Sequence, residues 1–343
     1  MIPIVWRSTK VLCAILLLFA ASAVAKPLEI YFIDVEGGQS TLVVSPSGQS
    51  LLIDAGYAGF GGRDAERIKT AAKAAGVGHI DYLLVTHYHS DHVGGVPNLL
   101  EVLHVTNVLD YGPSVDAGSK YPEDYAAAVS KIEAAKGTHK VVVPGDKIPV
   151  KGLDVTVVTA AGKHIDHALP GAGQPNEYCS GLEPRKEGAG DETGENPQAV
   201  GVVIELGKFR FGDFSDITWN KELGLLCPDN KAGKLDLYLA THHGALSSRA
   251  IWGLAPRVAI FNNGASKGAE PLGWRLVKQS PGLEDVWQLH FALAGGSDAN
   301  AADTFIANAD DDLGEYLKVT AEPTGAFTVT NHRNKFTRTY GVK

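Results

Sequence analysis

THYHSDH, residues 86–92 of this 343-residue chain, places three imidazoles and one carboxylate within six consecutive positions. It holds three of the 12 histidines, a concentration that favours a chemical role over a chance polar turn. The apolar run at residues 81–85 leads into it and predicts a strand. Side chains two positions apart point to the same face of a strand, so His87 and His89 share a face if that geometry continues.

The polar side chains of this stretch can bind two neighbouring metal ions. His87 and His89 would bind one ion, while Asp91 and His92, on the turn beyond the strand, would bind the other. Imidazole and carboxylate are ligands that zinc, manganese and iron accept in proteins. The alternative is a histidine-rich turn without ligands, and we interpret the stretch as the centre of a two-metal site.

The pattern H-x-H-x-D-H resembles the signature of the metallo-β-lactamase superfamily, and further motifs follow in the family's order. Residues 53–56, I-D-A-G, resemble its early I-D-x-G strand end. Gly212-Asp213 resembles its later G-D, and residues 241–244, T-H-H-G, resemble its final histidine motif. The resemblance spans residues 28–265. It implies an α/β fold, a four-layer αββα metallo-β-lactamase-like sandwich.

Three segments are also similar to the ComEC-type competence branch of that family. Residues 33–40 are similar to its D-V-G-Q-G-D-A opening, residues 196–200 to its N-x-x-S-x-V segment, and residues 239–248 to its V-P-H-H-G-S motif. The Asp after the Gly pair is absent, and Ala199 stands where the branch has Ser. No membrane-channel domain is predicted in these residues, so the resemblance does not imply DNA uptake.

The resemblance implies a role for each candidate residue. Asp213 would bridge the two ions, because Phe211-Gly212-Asp213 after an apolar strand matches the family better than its rival Asp216. Asp216 would instead cap the helix that begins near Thr218. Of the adjacent His242 and His243, only one can face the ions from a strand end. His242 is then the ligand, and His243 either orients or protonates the substrate or supports a ligand. The predicted metal ligands are His87, His89, Asp91, His92, Asp213 and His242, and the predicted catalytic groups are Asp91, Asp213 and His243.

One histidine of the family pattern has no clear counterpart. Many members carry a further His between the main cluster and the bridging Asp, and His164 lies in roughly that place without the matching motif. Otherwise Asn196 or a water fills the position, and the first ion binds weakly. Asp54, at a strand end before a glycine, is predicted to hold a ligand or to cap the local turn.

The net charge and the order of predicted elements limit how the rest of the chain can be interpreted. The formal net charge of −8 repels nucleic acid at long range, and no extended basic surface is evident. Strands alternate with predicted helices at residues 63–75 and 121–136, which favours one layered α/β domain over residues 26–343. Residues 160–198, rich in Gly, Pro, Asn and Glu, predict a long loop. It is either a rim of the active site or a surface insertion.

The first 25 residues have the pattern of a secretory signal peptide. A basic start precedes an apolar stretch at residues 11–20 and the A-V-A cleavage pattern at residues 23–25. The apolar stretch is too short to span a bilayer comfortably. We therefore expect a mature chain that begins at Lys26, is secreted or periplasmic, and has no membrane association after cleavage.

Two cysteines, Cys179 and Cys227, remain in the predicted mature chain. In an oxidising compartment two cysteines suggest one disulfide, and two free thiols are the alternative. The bond would tie the long loop to the helix that follows Asp213.

The implied chemistry is hydrolysis by a metal-activated water. Two divalent ions are expected, zinc or in its place manganese or iron, and each lowers the pKa of a bound water. The ComEC-like motifs favour a phosphodiester or nucleotide-like substrate, whereas the acidic charge and secretion favour a small lactone, carboxylic ester or β-lactam. A third possibility is a catalytically inactive secreted protein that binds metal or a polymer. Intact Asp91 and Asp213 argue against it.

Overall fold

The computed structural model describes residues 1–3, 26–116, 118–186, 192–245, 247–309 and 313–343. Most of the predicted signal peptide, residues 1–25, lies outside the described residues. Among the described residues, no helix has the length and apolar character needed to cross a membrane.

Strands and helices alternate over the first two thirds of the chain, and strands dominate the remainder. The helices are α1 (Arg63–Ala74), α2 (Ser90–Val93), α3 (Val96–Val102), α4 (Lys120–Ala134), α5 (Trp219–Leu226) and α6 (Pro271–Lys278). The strands are β1 (Leu28–Phe32), β2 (Thr41–Val44), β3 (Ser50–Ile53), β4 (Ile80–Leu84), β5 (Val105–Asp110), β6 (Thr138–Val141), β7 (Lys147–Ile148), β8 (Asp154–Ala160), β9 (Lys163–His164), β10 (Gln174–Pro175), β11 (Gly201–Leu206), β12 (Phe209–Asp213), β13 (Asp229–Asn230), β14 (Leu237–Leu239), β15 (Val258–Phe261), β16 (Asp285–His290), β17 (Ile306–Asn308), β18 (Leu317–Ala321), β19 (Phe327–Asn331) and β20 (Thr337–Tyr340).

The strands form two large sheets. The order in the first is β20-β19-β18-β1-β2-β3-β4-β5-β6, and in the second β17-β16-β15-β14-β12-β11-β8-β7, with β9 beside β8. β10 and β13 form a separate pair. Parallel pairing runs from β3 to β6 in the first sheet, and through β12 and β14 to β17 in the second. Parallel strands bring their carboxyl ends to one edge, where the candidate site lies.

Side-chain alternation along the strands builds two apolar cores. Leu237 and Leu239 of β14 pack in the core between the sheets, where Phe32 meets Phe211 edge to face at 5.6 Å. Tyr238 points the other way, into the core beneath α5 and α6. Helices α1, α3 and α4 pack on the first sheet. The layers are therefore helix, sheet, sheet and helix, which confirms the predicted four-layer sandwich.

The two helices predicted from the sequence agree with the structure to within about two residues. The helix expected at residues 63–75 is Arg63–Ala74, and the one expected at 121–136 is Lys120–Ala134. No element was predicted beyond Phe261, yet α6 and five strands follow it. Strands β18 and β19 alternate between buried and half-buried residues, a period-two signal that a search of that region would have detected.

A disulfide pins the long loop at residues 160–198. Cys179 and Cys227 are bonded, as predicted, across a sequence separation of 48 residues. A bond closing a loop of this length stabilises a fold by about 3–4 kcal/mol. Beside it, Asn176 Nδ2 donates to the carbonyls of Leu226 and Ala250 at 3.0 and 2.9 Å. The disulfide and Asn176 thus both attach the loop to the helical layer of the second sheet.

Candidate metal centre

The candidate site lies where strands of both sheets end. Strand β3 leads to Asp54, β4 leads to residues 87–92, β12 leads to Asp216, and β14 leads to His242 and His243. The peptide N–H of His242 donates to the carbonyl of Ser215 at 3.0 Å, which ties the last two loops together. Residues far apart in sequence therefore meet at one edge.

Four buried side chains form the tightest group in this site. Asp91 Oδ2, His92 Nε2, Asp216 Oδ2 and His243 Nε2 all lie within 4.8 Å of one another. Asp216 Oδ2 is 3.3 Å from both imidazole nitrogens, and His243 Nε2 is 3.2 Å from Asp91 Oδ2. Two carboxylates and two imidazoles at these distances are a donor set suited to a transition-metal ion.

A second set of imidazoles approaches the same carboxylate. His87 Nε2 and His242 Nε2 lie 3.9 and 3.6 Å from Asp216 Oδ2. His89 Nδ1 lies 3.1 Å from His87 Nε2. Asp216 Oδ2 is therefore common to two donor sets, one with His87, His89 and His242, and the other with the four-residue group.

The structure places Asp216 in the ligand cluster and leaves Asp213, the predicted bridge, outside it. Asp213 is the last residue of β12, and its carboxylate accepts hydrogen bonds from Gln39 Nε2 at 2.9 Å and from the Ser215 N–H at 3.0 Å. It is buried beside the ligand cluster and does not belong to it. The predicted cap at Asp216 is also wrong, because the N-cap of α5 is Thr218.

The adjacent histidines do not obey the strand rule on which their assignment rested. Neighbouring strand residues point to opposite faces, but His242 and His243 have left-handed φ values of 53° and 54°. Residues other than glycine adopt this backbone region rarely, because it brings their Cβ too close to the backbone. Here it aims both Nε2 atoms at Asp216. His243, predicted to contact substrate, therefore lies buried among the ligand atoms, and His242, 40% exposed, lies at the open side.

The structure does not bring His164 into the site. His164 Nδ1 lies 2.9 Å from the Ile165 carbonyl and 3.3 Å from Lys231 Nζ. Among the described residues it belongs to no group of converging His, Cys, Asp and Glu side chains. His242 Nε2, and not His164, approaches the carboxylate that His87 also approaches, Asp216 Oδ2, at 3.6 Å. Asn196 Nδ2 lies 3.3 Å from His242 Nε2, which puts the end of the long loop at the site.

Hydrogen bonds behind the cluster orient its ligands. Asp54 Oδ2 lies 2.7 Å from His92 Nδ1, which directs His92 Nε2 toward the other ligands. The same carboxylate accepts from the N–H and the hydroxyl of Thr86 at 2.8 and 2.7 Å. Residues 33–40 lie directly against Asp91. A Cβ on Gly38 would be only 2.4 Å from the Asp91 carbonyl oxygen, so the two backbones are in close contact. Asp54 thus makes the supporting contact predicted for it.

Unsatisfied polar atoms indicate that the cluster fits metal ions. Within the described part of the chain, no hydrogen bond reaches Asp216 Oδ1, the second oxygen of the shared carboxylate. His92 Nε2 faces His243 Nε2 at 3.3 Å, nitrogen against nitrogen. A buried polar atom without a hydrogen-bond partner lowers the stability of a fold by about 1–3 kcal/mol. Divalent ions would take up the converging lone pairs, so the residues present fit the group that the resemblance implies.

The electrostatic surroundings of Asp213 and Asp216 also differ. Burial raises the pKa of Asp213 to about 7, against which the hydrogen bond from Ser215 acts only in part. Burial alone would also raise the pKa of Asp216, but attraction from His243 and His92 outweighs it and holds that pKa well below its usual value. Asp216 is therefore the carboxylate that stays ionised, as a metal ligand must.

Glu195 is a buried anchor of the site that the sequence analysis did not identify. It lies directly before Asn196 and is 2% exposed. Its carboxylate ties the end of the long loop to the segment after β4 that carries the histidines and to the loop after β5. Its donors are the N–H groups of Tyr88, Val115 and Asp116 and the hydroxyls of Tyr111 and Ser114, at 2.5–3.2 Å.

Glu195→Ala should lower the free energy of unfolding by about 3 kcal/mol, because the buried N–H of Tyr88 and the buried hydroxyl of Tyr111 lose their acceptor. Urea unfolding would measure it. The control is Glu177→Ala, an exposed glutamate of the same loop, which should change stability by less than about 0.5 kcal/mol. Equal effects of the two substitutions would show that Glu195 does not anchor the loop.

Comparison with known proteins agrees with this geometry. Residues 33–174 match the family model of the metallo-beta-lactamase superfamily. A hydroxyacylglutathione hydrolase of Erwinia tasmaniensis is 34% identical over 85 residues, which cover 25% of this chain and 26% of that protein. A ribonuclease Z of Methanopyrus kandleri is 28% identical over 184 residues, covering 50% of this chain and 60% of that protein. The match thus spans less than two thirds of either relative's length.

Among solved structures, the metallo-beta-lactamase fold protein YhfI from Bacillus subtilis is similar to this chain at 12% identity. The alignment covers 77% of this chain and 96% of that one, with a TM-score of 0.44.

Proposed function

Because this chain contains a metallo-β-lactamase superfamily domain, we propose that it is a hydrolase that uses metal-activated water. The observation that carries the proposal is the convergence of two donor sets on the single oxygen Asp216 Oδ2. A carboxylate shared in this way is what a two-metal site needs, since one ligand then fixes the spacing of both ions.

Divalent ions in this site would lower the pKa of a bound water and supply hydroxide near neutral pH. The residues of the chain do the positioning. Asp54 holds the ring of His92, and Glu195 holds the peptide of Tyr88, between His87 and His89. The ligand atoms are thereby fixed before substrate arrives, which avoids reorganisation during the reaction.

We propose a phosphodiester or nucleotide-like substrate. The segments similar to the ComEC-type branch lie at the site: Gly38 lies against Asp91, and Asn196 lies against His242. Partial likeness to a ribonuclease Z adds support. The second candidate is a carboxylic ester, lactone, thioester or β-lactam. It is favoured by the net charge of −8 and by likeness to a hydroxyacylglutathione hydrolase.

We further propose that the protein is exported and acts outside the cytoplasm as a secreted or periplasmic enzyme. The pattern at residues 1–25 supports this. So does the bond between Cys179 and Cys227, since disulfides persist mainly in oxidising compartments.

Turnover by the zinc- or manganese-loaded protein tests the proposal. Bis-p-nitrophenyl phosphate, S-lactoylglutathione, nitrocefin and a homoserine lactone represent the candidate substrate classes. We expect hydrolysis of the phosphodiester in preference to the others, with Asp216→Asn as the inactive control. Fully metal-loaded protein that hydrolyses none of them would refute the proposal, and preference for a thioester or lactone would select the second candidate.

A further inference from the structure

A lysine stands at the open side of the ligand cluster, and no step described above uses it. Lys267 Nζ contacts Asp91 Oδ2 and lies 3.2 Å from the hydroxyl of Tyr57. The lysine side chain is 41% exposed, whereas the Asp91 side chain is 10% exposed. The ammonium therefore lies between the buried ligands and solvent, where a substrate must enter.

The backbone holds this lysine at a fixed distance from the ligands. The N–H of Gly264 donates to the Lys267 carbonyl at 2.9 Å, which closes a tight turn. Two residues further on, the N–H of Ala269 donates to the carbonyl of His243 at 2.7 Å. Gly268 allows this approach, since a Cβ there would lie 2.5 Å from the same carbonyl. Lys267 and the ligand His243 therefore belong to one rigid unit.

A hydrogen bond also fixes the backbone of Tyr57 on the facing loop. Its N–H donates to Asp64 Oδ2 at 2.8 Å, at the start of helix α1. The Lys267 ammonium also lies 5.5 Å from the centre of the Tyr57 ring, a distance suited to a cation–π contact. The two side chains thus present an ammonium and a hydroxyl, both donors, toward the same opening.

The charge of the metal-loaded site indicates what Lys267 and Tyr57 would bind. Two divalent ions would bring more positive charge than Asp91 and Asp216 neutralise, so a neighbouring ammonium would add repulsion. An anionic oxygen of a bound substrate removes that repulsion and receives donors from Lys267 and Tyr57. We propose that Lys267, assisted by Tyr57, binds an anionic oxygen of the substrate, on a phosphate or a carboxylate, and so makes the enzyme selective for negatively charged substrates. The proposal rests on the proposed hydrolase function and narrows its substrate class.

The test compares Lys267→Met with Lys69→Met in the metal-loaded protein. Lys69 pairs with Glu66 on the surface of α1, so its loss changes the net charge equally without touching the site. Binding of inorganic phosphate and of acetate, measured by calorimetry, needs no turnover and separates phosphate from carboxylate recognition. We expect Lys267→Met to weaken binding of at least one of them by a factor of about 10 to 100, and Lys69→Met to leave both unchanged. Lys267→Arg should restore part of the affinity.

Kinetics supply the second measurement. For bis-p-nitrophenyl phosphate, Lys267→Met should raise KM by a similar factor, whereas for the neutral p-nitrophenyl acetate KM should not change. Unchanged binding of both anions, or equal losses on both substrates accompanied by loss of metal, would overturn the proposal and assign Lys267 to holding Asp91. If the wild type binds anions through Lys267 but hydrolyses nothing, the hydrolase function fails and the anion site stands.

Discussion

Asp216→Ala should reduce kcat for the preferred substrate at least about 100-fold, an effect comparable to removing a main electrostatic stabiliser of a transition state. The reason is that Asp216 Oδ2 is the one oxygen within 3.9 Å of His87, His92, His242 and His243 in the described structure. Without it, neither donor set retains its shared ligand. Elemental analysis of the purified variant should show fewer bound ions than the two expected for the wild type.

Asp213→Asn is the matched control for Asp216→Ala. Asp213 lies outside the ligand group and receives hydrogen bonds from Gln39 and Ser215. Asparagine keeps an oxygen acceptor for the Ser215 N–H and removes a charge that burial already disfavours, since burial raises the pKa of Asp213. Activity should fall by less than about 10-fold, the equivalent of one hydrogen bond. An inactive Asp213→Asn with an active Asp216→Ala would return the bridge to Asp213.

His242→Ala should lower the metal content from two ions to about one per chain and reduce kcat by roughly 100-fold. His242 Nε2 is the third imidazole available to the set that contains His87 and His89. Without His242 the set keeps His87, His89 and the shared Asp216, one ligand fewer than the four that hold a structural zinc ion, so the ion should bind more weakly. Hydrolysis with two ions needs both. The four-residue group with His243 should keep its ion.

The control for His242→Ala is His164→Ala, the histidine that the sequence offered for the same position. His164 contacts the Ile165 carbonyl and Lys231, away from the ligand group. Elemental analysis should therefore find the same two ions in this variant as in the wild type. Loss of an ion from His164→Ala, with full occupancy in His242→Ala, would contradict the ligand set assigned to the structure.

Local sequence was enough for the fold class and for the centre of the site. Residues 80–84 form the predicted strand because their apolar character suits a sheet buried on both faces. The cluster that follows is contiguous, so the positions of His87, His89, Asp91 and His92 depend on one short turn. The disulfide could be predicted because only Cys179 and Cys227 remain after the signal pattern.

Local sequence could not decide which of two nearby residues, Asp213 or Asp216, lies among the ligands. Asp213 and Asp216 lie on either side of a turn in which Ser215 has a φ of 50°, and this left-handed residue redirects the chain so that Asp216 faces the ligands. The left-handed pair His242 and His243 has the same effect on the facing loop. Period-two reasoning fails at such positions, because it assumes extended backbone.

Long-range contacts account for the remaining differences. Glu195 meets Tyr88 across 107 positions, and Lys267 meets Asp91 across 176, so no local pattern could connect them. The sequence by itself determined the layered α/β class, the histidine cluster and the disulfide, since these depend on periodicity and on neighbours along the chain, and its resemblance to a known family implied the four-layer sandwich. Only the tertiary structure decided which carboxylate joins the two ligand sets, which histidine completes each one and which lysine faces the opening. Those choices depend on where separate loops meet and on backbone conformations that packing imposes.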